Sequence, residues 1–378
     1  MTTNDTPVLE VKHLCVDYYS ESGTVHAVSD VSFTLRRGEV LGLAGESGSG
    51  KSTLVYALTR LLPNTAEVTS GEMLYYPPAR AGEQRVRRER MRGPASAGEA
   101  GRAVSLLELS PRQFRAFRWN DLAIVFQSAM NSLNPVKTVG DQITDVLEAH
   151  RPEMRAEERA ERARELLMLV GIAPDRIGSY PHELSGGMRQ RAGIAIALAL
   201  SPEIIILDEP TTALDVVVQR EILSEILRLR RQLNFSVIFI THDLSLLLEL
   251  ADTIAVMYAG RVVEQATRAD LYGTPRHPYT YGLINAFPRL HGPRRTATGI
   301  PGSPPDLRMP PPGCAFHPRC PLAFRPCDAA LPLLRPAVAG SAQRVACHLY
   351  DPAFRPSPPE TGELAAAYEA LAEGSRAS

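Results

Sequence analysis

The sequence is poor in lysine and lacks any long apolar run. Only three of its 41 basic residues are lysines, Lys12, Lys51 and Lys137, so each lysine position is more informative than an arginine position. The basic residues are balanced by 42 acidic ones, and this net charge of −1 argues against a surface that holds a nucleic acid. No segment approaches the ~18 consecutive apolar residues of a membrane-spanning helix. Phosphate binding must therefore be local, and the chain is not expected to cross a bilayer by itself.

Two further scarcities bear on the compartment. Residues 1–10 lack the basic start and the apolar run of an export signal, so we expect a cytosolic location. The chain has only five cysteines, and disulfides are not expected in a reducing compartment. Any clustering of these cysteines therefore indicates metal binding or reactive thiols.

Apolar strand patterns and helical periods alternate over residues 1–265, which we expect to form the first of two domains. Buried-strand patterns at 40–44, 204–207 and 237–240 are each joined to a segment of helical period. This alternation predicts an α/β fold with a mostly parallel sheet. Residues of about 128–200 carry Arg/Glu pairs at helical spacing and predict a helical subdomain beside the sheet.

The other segments differ in composition. Residues 77–102 are rich in Arg, Gly and Glu without apolar periodicity, which predicts a mobile insertion in the first domain. Residues 301–336 contain 11 of the 31 prolines, which makes regular helices or strands improbable there. We expect a small proline- and cysteine-rich C-terminal domain at 266–350, followed by a tail at 351–378.

A glycine-rich turn follows the strand pattern at 40–44 and opens a helix. Its residues are Gly45, Glu46, Ser47, Gly48, Ser49, Gly50, Lys51, Ser52 and Thr53. Glycines at this spacing let backbone N–H groups surround phosphate oxygens, and the helix N-terminus adds partial positive charge. Lys51 is placed to reach the β and γ phosphates, and Ser52 to ligate Mg²⁺. The turn therefore predicts a phosphate-binding loop for a nucleoside triphosphate.

Two carboxylates follow the strand pattern at 204–207. Asp208 at the strand tip is placed to hold Mg²⁺ through water, and Glu209 to orient or deprotonate the attacking water. An acidic pair after a strand is common in proteins. Together with the phosphate loop, however, it predicts a nucleoside triphosphatase.

A second anion-binding turn, Ser185-Gly186-Gly187, lies far along the chain from Lys51 at a predicted helix start. Two such turns in one chain predict a head-to-tail dimer. The surrounding segment, 184–190, resembles the signature motif of ATP-binding cassette (ABC) ATPases. The resemblance implies an ABC-type P-loop ATPase core that binds ATP. It also implies that Ser185 and Gly187 of one subunit close on the γ-phosphate held by the phosphate loop of the other.

Other positions match this family one by one. The resemblance implies that Gln127 senses Mg²⁺ and the permease, and that Asp215 belongs to the D-loop. It implies that His242 is the switch histidine that contacts the γ-phosphate. Tyr18 is similar to the aromatic residue that stacks on adenine, with the neighbouring Tyr19 as the alternative.

Finer details resemble the ATPase subunits of oligopeptide and dipeptide importers. They are the segments 132–135, 180–183 and 277–280, followed by the proline- and cysteine-rich C-terminal region. The resemblance implies a peripheral subunit at the cytoplasmic face of the membrane, which hydrolyses ATP and energises two transmembrane permease subunits. An extracytoplasmic peptide-binding protein would deliver the substrate. It also favours pairing with a second, homologous ATPase over pairing with an identical copy.

Three alternatives stay open from the sequence. The solute could be another one handled by similar importers, such as nickel. The chain could also be a soluble ABC ATPase in translation or DNA maintenance, although such proteins usually show two cassettes or a long coiled coil. In a third interpretation the cysteine-rich domain carries the main function and the cassette regulates it.

Four of the five cysteines, Cys314, Cys320, Cys327 and Cys347, cluster in one short stretch of the C-terminal region. Four soft thiolates suit a tetrahedral Zn²⁺ ion or an iron–sulfur cluster, and either would tie the proline-rich segment together. The spacing lacks the two-residue pairs usual in zinc knuckles. Importer subunits that resemble this chain can carry a [4Fe–4S] cluster at these cysteines, which we predict here, with Zn²⁺ and metal-free thiols as alternatives.

Overall fold

The computed structural model describes most of the chain. The described residues are 6–21, 23–78, 103–126, 133–211, 214–286 and 299–374. Residues 79–102 of the predicted insertion lie outside them, as does Gln127. The chain divides into two compact units: the first comprises Met1–Val11, Thr34–Val40 and Glu72–Ile240, and the second comprises Lys12–Phe33, Leu41–Gly71 and Thr241–Ser378. The domain boundaries predicted from the sequence stay predictions.

Strands and helices alternate along the described residues. The strands are β1 (Pro7–Ser20), β2 (Gly23–Arg36), β3 (Val40–Ala44), β4 (Ala66–Tyr75), β5 (Val104–Ser105), β6 (Leu122–Val125), β7 (Ile204–Asp208), β8 (Ser236–Ile240), β9 (Thr253–Tyr258), β10 (Arg261–Thr267), β11 (Arg335–Pro336) and β12 (Arg344–Val345). The helices are α1 (Lys51–Leu58), α2 (Pro111–Phe117), α3 (Val139–His150), α4 (Ala156–Leu169), α5 (Gly186–Ala197), α6 (Val216–Leu233), α7 (Leu244–Leu250), α8 (Arg268–Gly273), α9 (Pro278–Asn285) and α10 (Thr361–Gly374). None of these described helices is both long and apolar enough to cross a membrane.

In the first unit, three parallel strands lie side by side in the order β6, β7, β8. Leu122 pairs with Ile204, which in turn pairs with Ser236. Every residue of these strands is buried, the pattern of a parallel sheet that is covered on both faces. The strands predicted at 204–207 and 237–240 are therefore confirmed.

Polar side chains begin the main helices of the first unit. Thr138 accepts the N–H of Asp141 at 3.1 Å, and the Asp141 carboxylate accepts the N–H of Thr138 at 3.3 Å, a reciprocal cap at the start of α3. Ser185 and Asp215 make simpler, one-way caps at the starts of α5 and α6, in which the side chain accepts backbone N–H groups. Helices α3, α4 and α5 lie within the predicted helical subdomain of about 128–200.

In the second unit, five strands follow the order β11, β12, β10, β9, β3. Strand β3 runs parallel to β9, whereas β9, β10 and β12 are antiparallel neighbours. Ala259 and Gly260 turn the chain between β9 and β10 with φ of 47° and 77°, the two positive values that a tight hairpin needs. Strands β11 and β12 have two residues each, and β11 is the one strand that the described part of the proline-rich segment 301–336 contains, in agreement with the little regular structure predicted there.

Strands β1, β2, β4 and β5 form a separate four-stranded sheet in the order β2, β1, β4, β5. Leu74 pairs with Ser105 where β4 meets β5. From Val31 to Leu35, buried and partly exposed residues alternate along β2. This alternation is typical of a strand with one face against a core.

Candidate functional site

The phosphate loop lies between the fully buried strand β3 and helix α1, and all of these residues except Val40 belong to the second unit. Two of its glycines have backbone conformations and neighbours that exclude a side chain. Gly45 has φ of 148°, and a Cβ there would lie 2.3 Å from the carbonyl oxygen of Met257. Gly50 caps α1 with φ of 97°, and its Cβ would lie 2.3 Å from the carbonyl oxygen of Ala27. The loop therefore requires glycine at both ends.

Lys51 is the first residue of α1 and is only 6% exposed. Its ammonium group donates to the carbonyl oxygens of Gly45 and Glu46, at 2.8 and 2.9 Å, and to the Ser49 hydroxyl at 3.2 Å. The positive charge thus lies inside the loop, beside the N-terminus of α1. An ammonium group and a helix N-terminus at one place attract a phosphate group.

The C-terminal region holds the same loop through Glu46. The backbone N–H of Glu46 donates to the hydroxyl oxygen of Tyr279 at 2.8 Å. The Arg319 guanidinium donates to both carboxylate oxygens of Glu46, at 2.6 and 3.0 Å. Neither Tyr279 nor Arg319 was predicted to act at the nucleotide site, because they follow Glu46 by 233 and 273 residues.

Two other predicted site residues belong to the second unit. His242 is exposed and lies between β8 and α7, where the preceding Thr241 donates its N–H to the carbonyl oxygen of Leu43 at 3.2 Å. This bond fixes the backbone at Thr241, directly before His242, to the end of β3, which leads into the phosphate loop. Tyr18 is half-buried near the end of β1, whereas Tyr19 is 45% exposed and donates its hydroxyl to Glu67 at 2.9 Å.

The predicted carboxylates lie in the first unit. Asp208 ends β7 and is only 3% exposed. Glu209 follows with φ of 46°, a left-handed conformation, and donates its N–H to the carbonyl oxygen of Ile240 at 2.9 Å. The chain therefore turns sharply at Glu209. Carboxylate oxygens such as that of Asp208 are suitable Mg²⁺ ligands.

The signature turn also lies in the first unit. The exposed Ser185 accepts the N–H of Met188 at 3.3 Å and so begins α5. At Gly187, a Cβ would lie 2.8 Å from a methyl carbon of Val218, so glycine allows α5 to approach α6 closely. Asp215 accepts the N–H groups of Val217 and Val218 at the start of α6. Gly186 is the first residue of α5, whereas Gln127 lies outside the described residues.

The four clustered cysteines influence one another in the second unit. Burial raises the pKa of Cys314 to about 11 and that of Cys320 to about 12. Burial also raises the pKa of Cys347, to which the charges of Cys320, Cys314 and Cys327 add. Within the described ranges, however, no group of three or more His, Cys, Asp or Glu side chains is arranged to hold a metal ion. The predicted metal ligation is therefore not supported.

Comparison with known proteins identifies the family. Residues 28–212 match the ABC transporter family, and residues 263–327 match the C-terminal region of oligopeptide/dipeptide transporters. The dipeptide transport ATP-binding protein DppD of Bacillus subtilis is 41% identical over 348 residues, which are 91% of this chain and 95% of the relative. The chain belongs to the ABC transporter ATP-binding family. The oligopeptide transport ATP-binding protein OppD of Salmonella typhimurium is 42% identical over 327 residues, 86% of this chain and 90% of the relative.

A solved structure supports the fold of this ABC ATPase. The dimeric structure of an ATP-binding cassette in a post-hydrolysis state, bound to ADP and Pi, has a TM-score of 0.55 and 25% identity. The match covers 69% of this chain and 98% of the chain in that solved structure. The ABC-type α/β ATPase fold predicted from the sequence is confirmed. The activity of this chain is ATP hydrolysis. ATP and Mg²⁺ are the substrate and the metal ion expected for the family.

Proposed function

We propose that this ABC ATPase energises the import of dipeptides or oligopeptides through a membrane permease. The observation that carries the proposal is the likeness of about nine-tenths of the chain to proteins named for dipeptide and oligopeptide transport. The likeness includes residues 263–327, a region named for these transporters and outside the cassette match at 28–212. It favours peptide import over a soluble ABC ATPase or a cassette that regulates the cysteine-rich region.

The partners follow from this function. The ATPase lies at the cytoplasmic face of the membrane, bound to two transmembrane permease subunits. A peptide-binding protein on the other side of the membrane delivers the substrate. A second, homologous ATPase completes the pair, because each composite site needs one phosphate loop and one signature turn. The dimeric cassette bound to ADP and Pi supports a paired arrangement in this fold.

The chain's own residues have distinct tasks in the reaction. The phosphate loop and Lys51 bind the triphosphate, and Ser52 and Asp208 would hold Mg²⁺, which neutralises phosphate charge. Glu209 accepts a proton from the attacking water or orients that water, and His242 contacts the γ-phosphate.

The partner's signature turn, equivalent to Ser185, Gly186 and Gly187, closes the site with backbone N–H groups. Gln127 senses Mg²⁺ and the permease, Asp215 belongs to the D-loop, and Tyr18 stacks on adenine.

The experiment is reconstitution of the complete transporter in proteoliposomes. Permeases, a peptide-binding protein and a partner ATPase from the same organism would be used, with labelled dipeptides, longer peptides and Ni²⁺ as candidate solutes. We expect ATP-dependent uptake of at least one peptide class and none of Ni²⁺. Uptake of Ni²⁺ alone, or ATPase activity without uptake of any solute, would contradict peptide import.

We also propose that Cys314, Cys320, Cys327 and Cys347 bind a [4Fe–4S] cluster in the cell. The N–H of Cys314 donates to the carbonyl oxygen of Cys327 at 2.8 Å, which brings two of the four residues together, although the described side chains form no ligand set for a single ion. Anaerobic purification should yield about four irons per chain, lost in Cys320→Ser but kept in Cys15→Ser. Stoichiometric zinc, or a protein without metal, would contradict this proposal and leave peptide import untouched.

A further inference from the structure

We propose that Arg319 is a positioning residue for the phosphate loop, which acts through Glu46 and thereby sets the affinity for the nucleotide. Arg319 belongs to the proline-rich C-terminal region, far from Lys51 in the sequence. The proposal concerns nucleotide binding by this chain alone. Its test therefore does not depend on which solute is transported.

Arg319 is held in a fixed place by the chain around it. It is 7% exposed, and its Nε donates to the carbonyl oxygen of Pro301 at 2.7 Å. Its terminal nitrogens donate to the Gly302 carbonyl oxygen and to the Tyr258 hydroxyl, both at 3.3 Å, besides the two bonds to Glu46. A planar guanidinium with this many partners has little freedom to follow a moving loop. Glu46 is therefore bound to a rigid anchor.

Glu46 in turn is fixed at three of its groups. Its carboxylate binds Arg319, its N–H donates to Tyr279, and its carbonyl oxygen accepts a hydrogen bond from Lys51. The last contact connects the anchor to the ammonium group that is placed to bind phosphate. A shift of Glu46 would therefore move a partner of Lys51.

The charge of Glu46 gives Arg319 a second effect on the nucleotide. A carboxylate within a phosphate-binding loop repels a triphosphate, and a two-pronged ion pair with a guanidinium neutralises it. Without Arg319, the half-buried carboxylate keeps its charge and loses its anchor. Both consequences weaken ATP binding. The repulsion depends on the negative charge of Glu46, whereas the loss of the anchor does not.

A purely structural function of Arg319 makes a different prediction. In that case Arg319 only fastens the C-terminal region, through Pro301, Gly302 and Tyr258, and its removal lowers stability whatever residue is at position 46. The two explanations separate when the charge of Glu46 is removed together with Arg319. Affinity should then recover by the part that was lost to repulsion, but the lost contacts to the C-terminal region should not.

The experiment measures the Kd of Mg-ATP and the melting temperature of the full chain. The variants are Arg319→Met, Glu46→Gln, their combination, and Arg319→Lys. Arg308→Met is the matched control, because Arg308 lies in the same proline-rich region but pairs with Asp306. In the assembled transporter, KM for ATP and kcat are compared for the same set.

We expect Arg319→Met to raise Kd and KM about tenfold, equivalent to ~1.4 kcal/mol, and to change kcat at saturating ATP less than about twofold. Adding Glu46→Gln should bring Kd back to within about threefold of the unaltered chain, while the melting temperature stays low. Arg319→Lys keeps one charge without the fork and should give an intermediate Kd. Arg308→Met should change neither Kd nor KM.

Two results would overturn the proposal. One is an unchanged Kd in Arg319→Met; the other is a raised Kd that Glu46→Gln does not lower at all, as a purely structural function requires. If Arg319→Met does not fold, Arg319→Lys with and without Glu46→Gln decides in the same way.

Discussion

Glu209 has a backbone conformation that few residues other than glycine adopt. Its φ of 46° turns the chain directly after the buried Asp208, and its N–H bond to Ile240 holds that turn. Non-glycine residues in this conformation occur at ordinary turns, as at Ala259, and also at functional sites, where the side chain is needed at that place. The conformation thus agrees with the proposed task of Glu209 at the attacking water.

Replacement of Glu209 by Gln should separate binding from hydrolysis. The amide keeps the size of the side chain but cannot accept a proton, so we expect Mg-ATP binding to persist and turnover to fall by ~10²- to 10³-fold. Lys51→Ala should have the opposite pattern, with weakened binding, because it removes the positive charge from the loop. Kd and kcat measured on the purified complex distinguish the two. Hydrolysis at the unaltered rate by Glu209→Gln would refute its assignment as the base.

At the scale of elements, the parts of the fold that are local in sequence were predictable. Strands at 40–44, 204–207 and 237–240 are continuous apolar runs, because both faces of a parallel strand are buried. The phosphate loop was also predictable, since its glycine, lysine and serine residues are consecutive. The two-residue strands β11 and β12 were not, because β12 depends on pairing with β10, a strand far earlier in the chain, where Glu264 pairs with Val345. Strand β11 in turn pairs with β12.

The residue that caps helix α9 is a buried histidine, His277. The Nδ1 atom of His277 accepts the N–H of Tyr279 at 3.0 Å, and burial lowers the pKa of His277 to about 3. The carboxylate of Glu264 accepts the backbone N–H of His277 at 2.8 Å. The start of α9 therefore requires a neutral acceptor at position 277, and the same helix provides Tyr279 to the phosphate loop.

This cap should make the protein sensitive to acid. In the unfolded chain His277 binds a proton below its usual pKa of ~6.5, whereas the folded chain resists protonation down to about 3. Between these values the unfolded state binds more protons, so the free energy of unfolding falls with decreasing pH, by at most ~1.4 kcal/mol per pH unit from this residue. Above pH ~6.5 the contribution is constant.

His277→Asn tests this prediction, since its amide oxygen can accept the same N–H without titrating. Urea unfolding of the unaltered chain and of His277→Asn at several pH values between 7 and 4 gives the difference between their free energies of unfolding. The contributions of the titrating groups that both proteins share cancel in this difference. We expect the difference to move in favour of His277→Asn as the pH falls below about 6.5. A difference that is independent of pH would show that His277 does not titrate on unfolding.

At the scale of the whole molecule, the candidate site was only partly visible in the sequence. Residues in short motifs, such as Lys51 and Ser185, are recognisable because their neighbours complete a pattern. Arg319 and Tyr279 contact Glu46 from positions 273 and 233 residues later in the chain, and nothing next to them in the sequence indicates that contact. Long-range contacts of this kind require the folded structure.

The signature turn should act on a nucleotide held by another subunit. Ser185 is exposed at the N-terminus of α5, where a hydroxyl and backbone N–H groups can reach an anion on a facing surface. We therefore expect Ser185→Ala to leave the Kd of Mg-ATP at this chain's own phosphate loop unchanged. Turnover should fall instead at the site that uses the partner's lysine.

Vanadate trapping of a photoreactive ATP analogue, resolved by subunit, measures the two sites separately in the assembled transporter. Ser110→Ala is the matched control, since the Ser110 hydroxyl also caps a helix: it accepts the N–H of Gln113 at 3.3 Å at the start of α2. Both substitutions remove one cap, with a cost of ~1 kcal/mol in stability, so a loss of stability alone would affect them alike. Only Ser185→Ala should reduce trapping, and only on the partner ATPase. Reduced trapping confined to this chain, or full hydrolysis by an isolated monomer, would rule out the composite site.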